Sequence, residues 1–458
     1  MNPEAEVYNP INSVKIVTAT SLFDGHDAAI NIMRRILQDS GVEVIHIGHN
    51  RSAKEVVDAA IEEDAQGIAV SSYQGGHVEY FKYMVDLLKE RGASRIKIFG
   101  GGGGVIIPSE MDELHAYGVT RIYSPEDGTQ MGLQGMINNM IQAMDESFVN
   151  FDTLDYEGLT IDNKYVTASF ISAVQEACAS SRDKLEEIMS RIRKMGKGRD
   201  IPIIGLTGTG GAGKSSLTDE LINRILRDLS DVNIAIISCD PSRRKTGGAL
   251  LGDRIRMNSI ETGRVYMRSL ATRRSQTELP EALPHAVAVA KAAGYDIILV
   301  ETAGIGQGDS RVVDLVDMSI YVMTAEFGAP SQLEKIDMLD YADIVVVNKY
   351  EKKGSEDALR DVRKQVQRNR KAWNTDPKDL PVYGTIASKF NDDGISALYH
   401  GLLDLIEEKK QIRYKSCIPR PDAKESSSKT IIIPGERTRY LAEIADTIRE
   451  YHSTSEDQ

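Results

Sequence analysis

A glycine-rich octapeptide between an apolar run and a helical run places the strongest constraint on the fold of this chain. Residues 208–215 read Gly-Thr-Gly-Gly-Ala-Gly-Lys-Ser, which matches the pattern G-x-x-x-x-G-K-[ST]. Apolar residues 203–206 precede the motif, and residues 217–226 follow it with helical periodicity. In that setting backbone N–H groups wrap phosphates at the N-terminus of a helix. The motif therefore predicts a P-loop NTPase α/β domain, which we place at residues 201–410.

The P-loop supplies most of the predicted nucleotide contacts. Lys214 is expected to reach the β- and γ-phosphates and is a catalytic candidate, and Ser215 is expected to offer its hydroxyl to Mg²⁺. The predicted nucleotide-binding residues of this segment are Gly208, Gly211, Ala212, Gly213, Lys214, Ser215 and Ser216.

Polar residues at the ends of further predicted strands point to the same edge of the sheet. Asp240 ends one strand, and Glu301 and Thr302 end another. Asp253 and Arg256 lie near the start of a following helix, where the i, i+3 spacing lets one serve the metal and the other a phosphate; a surface ion pair is the alternative. Glu301 has the position of a Walker B-type acid and is a second catalytic candidate. The predicted Mg²⁺ ligands are Ser215, Asp240, Asp253, Glu301 and Thr302.

The tetrapeptide at residues 348–351, Asn-Lys-Tyr-Glu, ends another predicted strand and is similar to the guanine-reading pattern N-K-x-D. A carboxylate can accept from both guanine N1–H and N2–H₂, a donor pair that adenine lacks. The acid here, Glu351, is one methylene longer than the aspartate of the pattern. We predict a preference for guanine, read by Asn348, Lys349 and Glu351, with residues 387–389 behind the base.

The loop after Glu301 carries no glutamine beside Gly304, the position that holds the catalytic one in small signalling GTPases. Gln307 is the remaining candidate in this loop, and a mobile polar loop residue is the alternative interpretation. We therefore expect intrinsic hydrolysis to be slow.

Residues 13–146 form a second α/β unit, in which five apolar strand-like runs alternate with helical segments. A helix is predicted over 28–38, and Ser52 with Glu55 predicts a capping box at the start of another. Five βα units of this length predict a flavodoxin-like (Rossmann-like), doubly wound parallel sheet with strand order 2-1-3-4-5.

The loops after strands 1, 3 and 4 of that sheet would converge at its topological switch point. Asp24 and His26 lie in the first loop, Ser71 and Tyr73 in the second, and glycines 100–104 in the third. A histidine two residues after an aspartate fits a metal ligand whose tautomer is held by a carboxylate. A flavodoxin would need a hydroxyl-rich first loop and a response regulator an aspartate at position 71, and neither fits.

The remaining segments are interpreted as connections. Residues 147–200 are expected to be a linker of helices, solvated in the long charged stretch 164–195, and residues 411–458 a linker with a helix over 437–451. We expect His77 to be a polar cap, His46 and His49 to be structural, and Trp373 to anchor a helical face.

Composition narrows the partners and the compartment. The net charge of 55 − 68 = −13 argues against nucleic acid or an anionic membrane as a partner. No stretch approaches the roughly 18 apolar residues of a membrane span. The three scattered cysteines and the absence of a secretory signal predict a cytoplasmic protein.

Three stretches of the P-loop domain resemble the SIMIBI-class GTPases, and among them the MeaB-like metallochaperones that service cobalamin-dependent acyl-CoA mutases. These stretches are 240–242 (Asp-Pro-Ser), 246–254 (Thr-Gly-Gly-Ala-Leu-Leu-Gly-Asp-Arg) and 301–307 (Glu-Thr-Ala-Gly-Ile-Gly-Gln). The resemblance implies GTP hydrolysis in the service of a mutase.

The first unit resembles the base-off/His-on cobalamin-binding domain through its D-x-H-x-x-G, S-x-L and G-G motifs. The resemblance implies adenosylcobalamin as cofactor, with His26 as the lower axial ligand to cobalt and Asp24 orienting it. It also implies that Ser71 bonds the displaced benzimidazole tail and that glycines let the tail pass close to the backbone. The implied cobalamin contacts are Asp24, Gly25, His26, Ser71, Tyr73, Gly101 and Gly102. Ala29 replaces the glycine of the first motif and Tyr73 the leucine of the second, so the packing of the tail is expected to differ.

The order of the two domains resembles the N-terminal part of the fused isobutyryl-CoA mutases. That resemblance implies that GTP hydrolysis gates cofactor loading and protects a mutase that converts isobutyryl-CoA to n-butyryl-CoA. The implied partners are GTP and GDP, the substrate-binding mutase barrel, a cobalamin adenosyltransferase and a second copy of the chain in a homodimer. The barrel, of about 250 residues, does not fit in the last ~45 residues, so isomerase activity is expected only together with it. The alternatives are a subunit of another carbon-skeleton mutase, such as methylmalonyl-CoA mutase, and a cobalamin-sensing regulatory module.

Overall fold

The computed structural model of the protein describes residues 5–243, 246–272, 279–302, 310–327, 333–427 and 440–456. Its strands are β1 (Lys15–Thr20), β2 (Glu43–His46), β3 (Gly67–Ser71), β4 (Lys97–Gly101), β5 (Arg121–Tyr123), β6 (Ile203–Gly208), β7 (Ile234–Asp240), β8 (Ala249–Leu251), β9 (Val265–Ala271), β10 (Ile297–Thr302), β11 (Met318–Met323), β12 (Ile344–Asn348) and β13 (Val382–Thr385). Its helices are α1 (Ala28–Asp39), α2 (Ala53–Glu62), α3 (His77–Glu90), α4 (Pro108–Tyr117), α5 (Pro125–Met144), α6 (Lys164–Ser180), α7 (Arg182–Met195), α8 (Lys214–Asp228), α9 (Leu283–Ala293), α10 (Met338–Tyr341), α11 (Ser355–Asn369), α12 (Asp393–Lys410) and α13 (Tyr440–Glu456). Within these ranges no helix has the length and apolar character needed to cross a bilayer.

The first sheet is parallel and has the strand order β5-β4-β3-β1-β2-β8. Its first five strands confirm the predicted order 2-1-3-4-5. Helices α1 and α5 pack on one face of this sheet, and α2 and α3 pack on the other. The sixth strand, β8, is not predicted by the sequence pattern. It comes from the P-loop half of the chain, and its Leu250 pairs with Val44 of β2.

The second sheet is also parallel, with the order β13-β12-β11-β6-β10-β7-β9. The P-loop strand β6 lies in its interior, where Leu206 pairs with Ile320 of β11 and with Glu301 of β10. The strands are apolar runs covered on both faces, as parallel sheets require. The carboxyl ends of β6, β7, β10 and β12 therefore meet at one edge of the sheet.

Helix α6 corrects the interpretation of residues 164–195 as a solvated spacer. Phe170, Ile171 and Val174 of α6 are fully buried in a core shared with α9 and the second sheet. Each such side chain stabilises the fold by about 2 kcal/mol when it leaves water. The charged residues that suggested a spacer lie mainly on α7, which keeps a solvated face. The helical prediction is confirmed, and the prediction of solvation is wrong for α6.

Local predictions away from the sheet edges have mixed outcomes. The capping box is confirmed, since the Glu55 N–H donates to Ser52 Oγ at 3.2 Å and the Ser52 N–H donates to Glu55 Oε2 at 2.8 Å. His77 begins α3, and its Nε2 lies 2.9 Å from Glu110 Oε2. The expected helical anchor is wrong, because Trp373 is 66% exposed in a turn beyond the end of α11.

His46, at the end of β2, is a buried histidine whose titration should be visible in the stability of the fold. Its Nδ1 lies 3.0 Å from the Thr18 hydroxyl, and burial, followed by the charge of Arg34, lowers the pKa of His46 to about 4. In the unfolded chain the same group titrates near 6.5, so between these values the unfolded state binds more protons. Above pH 6.5 His46 is neutral in both states, and its titration does not change the free energy of unfolding. As the pH falls from 6.5 to 4, the free energy of unfolding should decrease by about 3 kcal/mol because of this histidine.

Denaturant titrations of the wild-type and His46→Gln proteins across this pH range measure the effect. The glutamine keeps a hydrogen-bonding side chain but does not titrate, so its loss of stability should be smaller by that amount. Parallel curves for the two proteins would contradict the prediction.

Candidate functional site

The loop between β6 and α8 has the geometry of a phosphate-binding loop. Gly208 (φ 143°) and Gly213 (φ 88°) adopt backbone conformations that favour glycine. A Cβ on Gly208 would also lie 1.9 Å from the carbonyl oxygen of Val322. Lys214 Nζ folds back over the loop and donates to the Gly208 and Thr209 carbonyl oxygens at 3.3 and 3.4 Å. These carbonyls hold the lysine over the loop that is predicted to bind phosphates.

Ser215, in the first turn of α8, joins two of the predicted acids. Its Oγ donates to Glu301 Oε1 at 2.7 Å and lies 3.3 Å from Asp253 Oδ1. Thr218 Oγ1 donates to Glu301 Oε2 at 3.3 Å, and Ser238 Oγ of β7 donates to Asp253 Oδ2 at 2.5 Å. Sequence reasoning missed both hydroxyls. The i+3 spacing of Thr218 from Ser215 could have indicated the first, and no local pattern indicates the second.

Three carboxyl groups crowd the space beside α8. Among the described residues, Asp240 Oδ2 is buried without a hydrogen-bond partner. Burial, followed by the charges of Asp253, Glu301 and Glu63, raises the pKa of Asp240 well above its usual range. Burial and the charge of Asp253 raise the pKa of Glu301 to about 7, while burial lowers the pKa of Lys214. The surroundings therefore do not stabilise all of these carboxyl groups in their charged form.

The donor set of this cluster suits a hard divalent cation. Mg²⁺ takes oxygen ligands, commonly one or two carboxylates together with phosphate oxygens and water. Across the described ranges, no group of three or more His, Cys, Asp or Glu side chains is arranged as a metal site. The Ser215 hydroxyl contacts Asp253 and Glu301, and the charges of these two acids act on the Asp240 carboxyl. This set of oxygens fits an ion that completes its shell with a bound phosphate.

Four further predicted residues take positions around this cluster or fall outside it. Arg256 is the last residue of a single 3₁₀ turn (Arg254–Arg256) and does not lie near the start of a longer helix; its side chain is 65% exposed, and its Nη1 lies 3.9 Å from Asp253 Oδ1. The Thr302 hydroxyl is buried and donates to a carbonyl oxygen of β6 at 3.5 Å. Ser216 is half-buried on α8, and Gln307 lies outside the described residues.

Asn348, at the end of β12, is buried and reaches back to the P-loop. Its Nδ2 donates to a P-loop carbonyl oxygen at 2.8 Å, and its Oδ1 accepts from the Thr385 hydroxyl at 3.0 Å and the Ala387 N–H at 3.2 Å. Lys349 Nζ donates to a second P-loop carbonyl oxygen at 2.8 Å. Glu351 is exposed two residues further on. The predicted base-reading segment is thus tied to the phosphate loop.

At the switch point of the first sheet, Asp24 holds His26 in one orientation. Asp24 is buried; its Oδ1 accepts from the His26 N–H at 2.9 Å and lies 2.8 Å from His26 Nδ1, and its Oδ2 accepts from the Tyr73 N–H at 2.6 Å. Burial alone would raise the pKa of Asp24, but the backbone N–H groups of Tyr73 and His26 outweigh it and lower the pKa. The ionised carboxylate keeps the proton on Nδ1 and leaves the Nε2 lone pair for a metal. The His26 side chain is 72% exposed, so a ligand can reach it.

A cavity of about 340 Å³ opens next to this pair, between α1, α5 and the carboxyl ends of β3, β4 and β5. Tyr73 belongs to both, because it lines the cavity and its ring centroid lies 5.8 Å from that of His26. A Cβ on Gly102 would lie 1.9 Å from the Ser72 carbonyl oxygen, so any residue other than glycine would force the backbone to move here. The mostly apolar slot can take an elongated group that passes beside the histidine. The residues singled out by the sequence that line it are Ala29, Ser71, Tyr73 and glycines 100–103.

The hydroxyl of the predicted Ser71 is bonded within the sheet, and one wall of the slot was not predicted from the sequence. The Ser71 hydroxyl donates to Thr20 Oγ1 of the neighbouring strand at 3.3 Å. Leu133, Met136 and Met140 of α5 form one wall. Apolar residues on a helix indicate burial but not whether a protein core or a ligand covers them, so the sequence could not assign this wall.

Two protein families match the chain. Residues 167–455 match the family described as Methylmalonyl Co-A mutase-associated GTPase MeaB. Residues 14–128 match the family described as B12 binding domain. The first match begins within α6, in keeping with the burial of that helix against the second sheet.

Among curated proteins, the chain is similar to three described as fused isobutyryl-CoA mutase. The protein of Geobacillus kaustophilus is 55% identical over 99% of this chain and 42% of the relative. That of Cupriavidus metallidurans is 56% identical over 97% and 40%, and that of Nocardia farcinica 52% over 99% and 42%. The chain therefore spans about two fifths of the length of these curated relatives.

Proposed function

Since the chain belongs to the family of methylmalonyl-CoA mutase-associated GTPases (MeaB) and also carries a B12-binding domain, we propose that it is the cobalamin-binding GTPase portion of an adenosylcobalamin-dependent acyl-CoA mutase. GTP hydrolysis in the P-loop half gates cofactor loading and protects the mutase. The complete enzyme rearranges isobutyryl-CoA to n-butyryl-CoA, as the name of the relatives suggests. The single observation that carries the proposal is an Asp24–His26 pair beside an apolar slot, in one chain with a P-loop and its acid cluster.

In the proposed nucleotide site, GTP binds as substrate with Mg²⁺. Ser215 and Asp240 would hold the ion, with Asp253 and Glu301 close by; the ion supplies charge neutralisation on the phosphates. Lys214 moves from the loop carbonyls to the β- and γ-phosphates. Gln307, in the loop after Glu301, remains a catalytic candidate, and slow intrinsic turnover is expected.

In the proposed cobalamin site, His26 would bind the lower face of the cofactor through Nε2. Adenosylcobalamin supplies the radical chemistry of the complete enzyme, while the residues of this chain bind and orient it. Asp24 fixes the tautomer of His26, and the slot beside Tyr73 receives the displaced tail. Gly102 keeps the backbone clear at the point of closest approach.

The proposed partner over this site is the mutase barrel. Apolar side chains stand exposed on the loops that flank His26 and the glycine run, namely Phe23 (78%), Val105 (41%) and Ile107 (50%). Exposed apolar groups around a site are typical of a surface that another protein covers. A cobalamin adenosyltransferase as the cofactor donor and a homodimeric assembly belong to the same proposal. So does a cytoplasmic location, in keeping with three cysteines that are free thiols.

Purified protein is expected to hydrolyse GTP with Mg²⁺ and to prefer it strongly over ATP. The reason is the guanine donor pair, which a carboxylate at position 351 accepts and adenine lacks. Glu351→Gln leaves one acceptor and should reduce the ratio of kcat/KM for GTP over ATP by about 10- to 100-fold. Phosphate release measured with both nucleotides gives this ratio.

Glu351→Asp is the matched control, because the shorter carboxylate still accepts from both donors after a small shift and should keep the preference. Both substitutions lie on the surface, so neither is expected to disturb folding. Equal rates with GTP and ATP in the wild-type protein would remove the guanine assignment.

A further inference from the structure

We propose that Arg254 is a positioning residue for Asp253, anchored on Glu62 and Glu63 of the cobalamin-binding half. The acid cluster of the nucleotide site is then built in part on the other half of the chain. This inference rests on the proposed GTPase function and goes beyond it, because it makes Mg²⁺ binding depend on residues of α2 and its C-cap.

Arg254 is buried and crosses between the two halves. Its Nη1 donates to Glu62 Oε2 at 2.8 Å, and its Nη2 lies 3.3 Å from Glu63 Oε1. The same Nη2 donates to the Met267 carbonyl oxygen of β9 at 2.6 Å. With side-chain exposures of 5% for the arginine and 4% and 0% for its partners, this is a dry ion-pair cluster. A planar guanidinium with such partners has little freedom to move.

Glu63 ties the cluster to the second sheet as well. Its Oε1 and Oε2 accept from the Ser269 N–H at 3.1 and 3.0 Å, and Oε1 also accepts from the Ser269 hydroxyl at 2.9 Å. Glu62 Oε1 accepts from Lys164 Nζ at 2.8 Å. The carboxylates that hold Arg254 are therefore themselves held from several directions.

The chain on either side of Asp253 is fixed to the cobalamin-binding half. Before it, β8 adds to the first sheet beside β2. After it, Ile255 packs on the β2–α2 loop so closely that a Cβ on Gly48 would lie 2.8 Å from Ile255 Cδ1. Asp253 stands between these attachments and contacts Ser215 and Ser238 of the nucleotide half. The position of the Asp253 carboxylate is thus set by the cobalamin-binding half, whereas its proposed role lies in the nucleotide half.

A structural role alone would predict only a loss of stability when this cluster is changed. A positioning role predicts a specific loss of Mg²⁺ affinity. Asp253 lies beside Ser215, one of the proposed ligands, and its carboxylate stabilises the ion less well when it is no longer held, while the P-loop itself is untouched. Groups that orient metal-binding residues typically contribute about 10- to 100-fold to metal affinity.

The test titrates Mg²⁺ into the full chain with a fluorescent, non-hydrolysable GTP analogue. Glu63→Gln keeps the shape of the side chain, and Arg254→Lys keeps the charge but loses the two-pronged contact. Both should raise the Mg²⁺ concentration for half-maximal tightening by about tenfold. Binding of the analogue without Mg²⁺ should stay within about twofold of wild type, because the P-loop backbone and Lys214 hold the phosphates and are not part of the ion pairs between Arg254 and the two glutamates. Tyr266→Phe is the matched control, since it removes a buried bond across the same boundary, from the Tyr266 hydroxyl to the Glu62 carbonyl oxygen at 3.1 Å, without touching Arg254.

Mg²⁺ curves of Glu63→Gln and Arg254→Lys that overlay the wild type would overturn the inference and leave the proposed function standing. An equal shift in Tyr266→Phe would also overturn it, because general loosening of the boundary would then explain the effect. A wild-type chain without Mg²⁺-dependent binding of the analogue would overturn the proposed function, and the inference with it.

Discussion

Replacing Lys214 by alanine is expected to lower kcat for GTP hydrolysis by at least about 100-fold, the effect of removing one positioned charge from a phosphoryl-transfer site. In the structure Lys214 Nζ donates to carbonyl oxygens of the P-loop, where the phosphates of GTP would bind. Burial lowers the pKa of Lys214. A buried triphosphate without this cation loses its main protein counter-charge. Single-turnover phosphate release, measured with saturating GTP and Mg²⁺, gives the rate.

Lys409→Ala is the matched control for this change. Lys409 contacts Asp317 and Asp343, which precede β11 and β12 at the opposite edge of the same sheet. Its loss should leave kcat within about twofold, as for a surface ion pair. A Lys214→Ala protein that hydrolyses GTP at the wild-type rate would show that the P-loop does not serve catalysis.

Replacing His26 by alanine is expected to remove the nitrogen ligand from protein-bound cobalamin. The wild-type histidine is oriented by Asp24, with Nδ1 at 2.8 Å from its carboxylate, so Nε2 is the free donor. Electron paramagnetic resonance of the cob(II)alamin form shows the axial nitrogen as superhyperfine splitting, and ¹⁵N-histidine labelling should change that splitting in the wild-type protein. The labelled His26→Ala protein should show none of this change, while the tail slot that Tyr73 lines remains in place.

His49→Ala controls for labelling and for general effects on the same sheet, because His49 is exposed beyond β2 and outside the slot. Its spectrum should match the wild type. A wild-type splitting that labelling leaves unchanged would take His26 out of the site and leave the slot without a metal ligand.

The amino-acid sequence by itself determined the parts of the protein whose chemistry is local or is brought together by simple topology. Lys214 and Ser215 belong to one octapeptide, and Asp24 and His26 are two residues apart. Residues at the carboxyl ends of parallel strands meet at one edge whatever the details of packing, which is why Glu301 could be placed near the P-loop. The order of the first five strands followed from the alternation of five βα units, which is typical of a doubly wound sheet.

Sequence patterns misjudged the places where environment decides. Periodicity in residues 164–195 indicates helices, but the charge of α7 concealed that α6 lies in a core. Trp373 is apolar enough to suggest an anchor, yet α11 ends before it and leaves it in solvent. Burial depends on what lies opposite a side chain, and no short window of sequence contains that information.

Only the tertiary structure decided how the two halves meet beside the proposed nucleotide site. Strand β8 comes from the P-loop half and completes the sheet of the cobalamin-binding half. Arg254 meets Glu63 across 191 residues of chain, and Ser238 reaches Asp253 from another strand. These contacts depend on the relative placement of two independently patterned sheets. Local propensity and strand-end topology specify each sheet by itself, whereas the packing between them is set by the complementary shape and charge of surfaces assembled from distant parts of the chain.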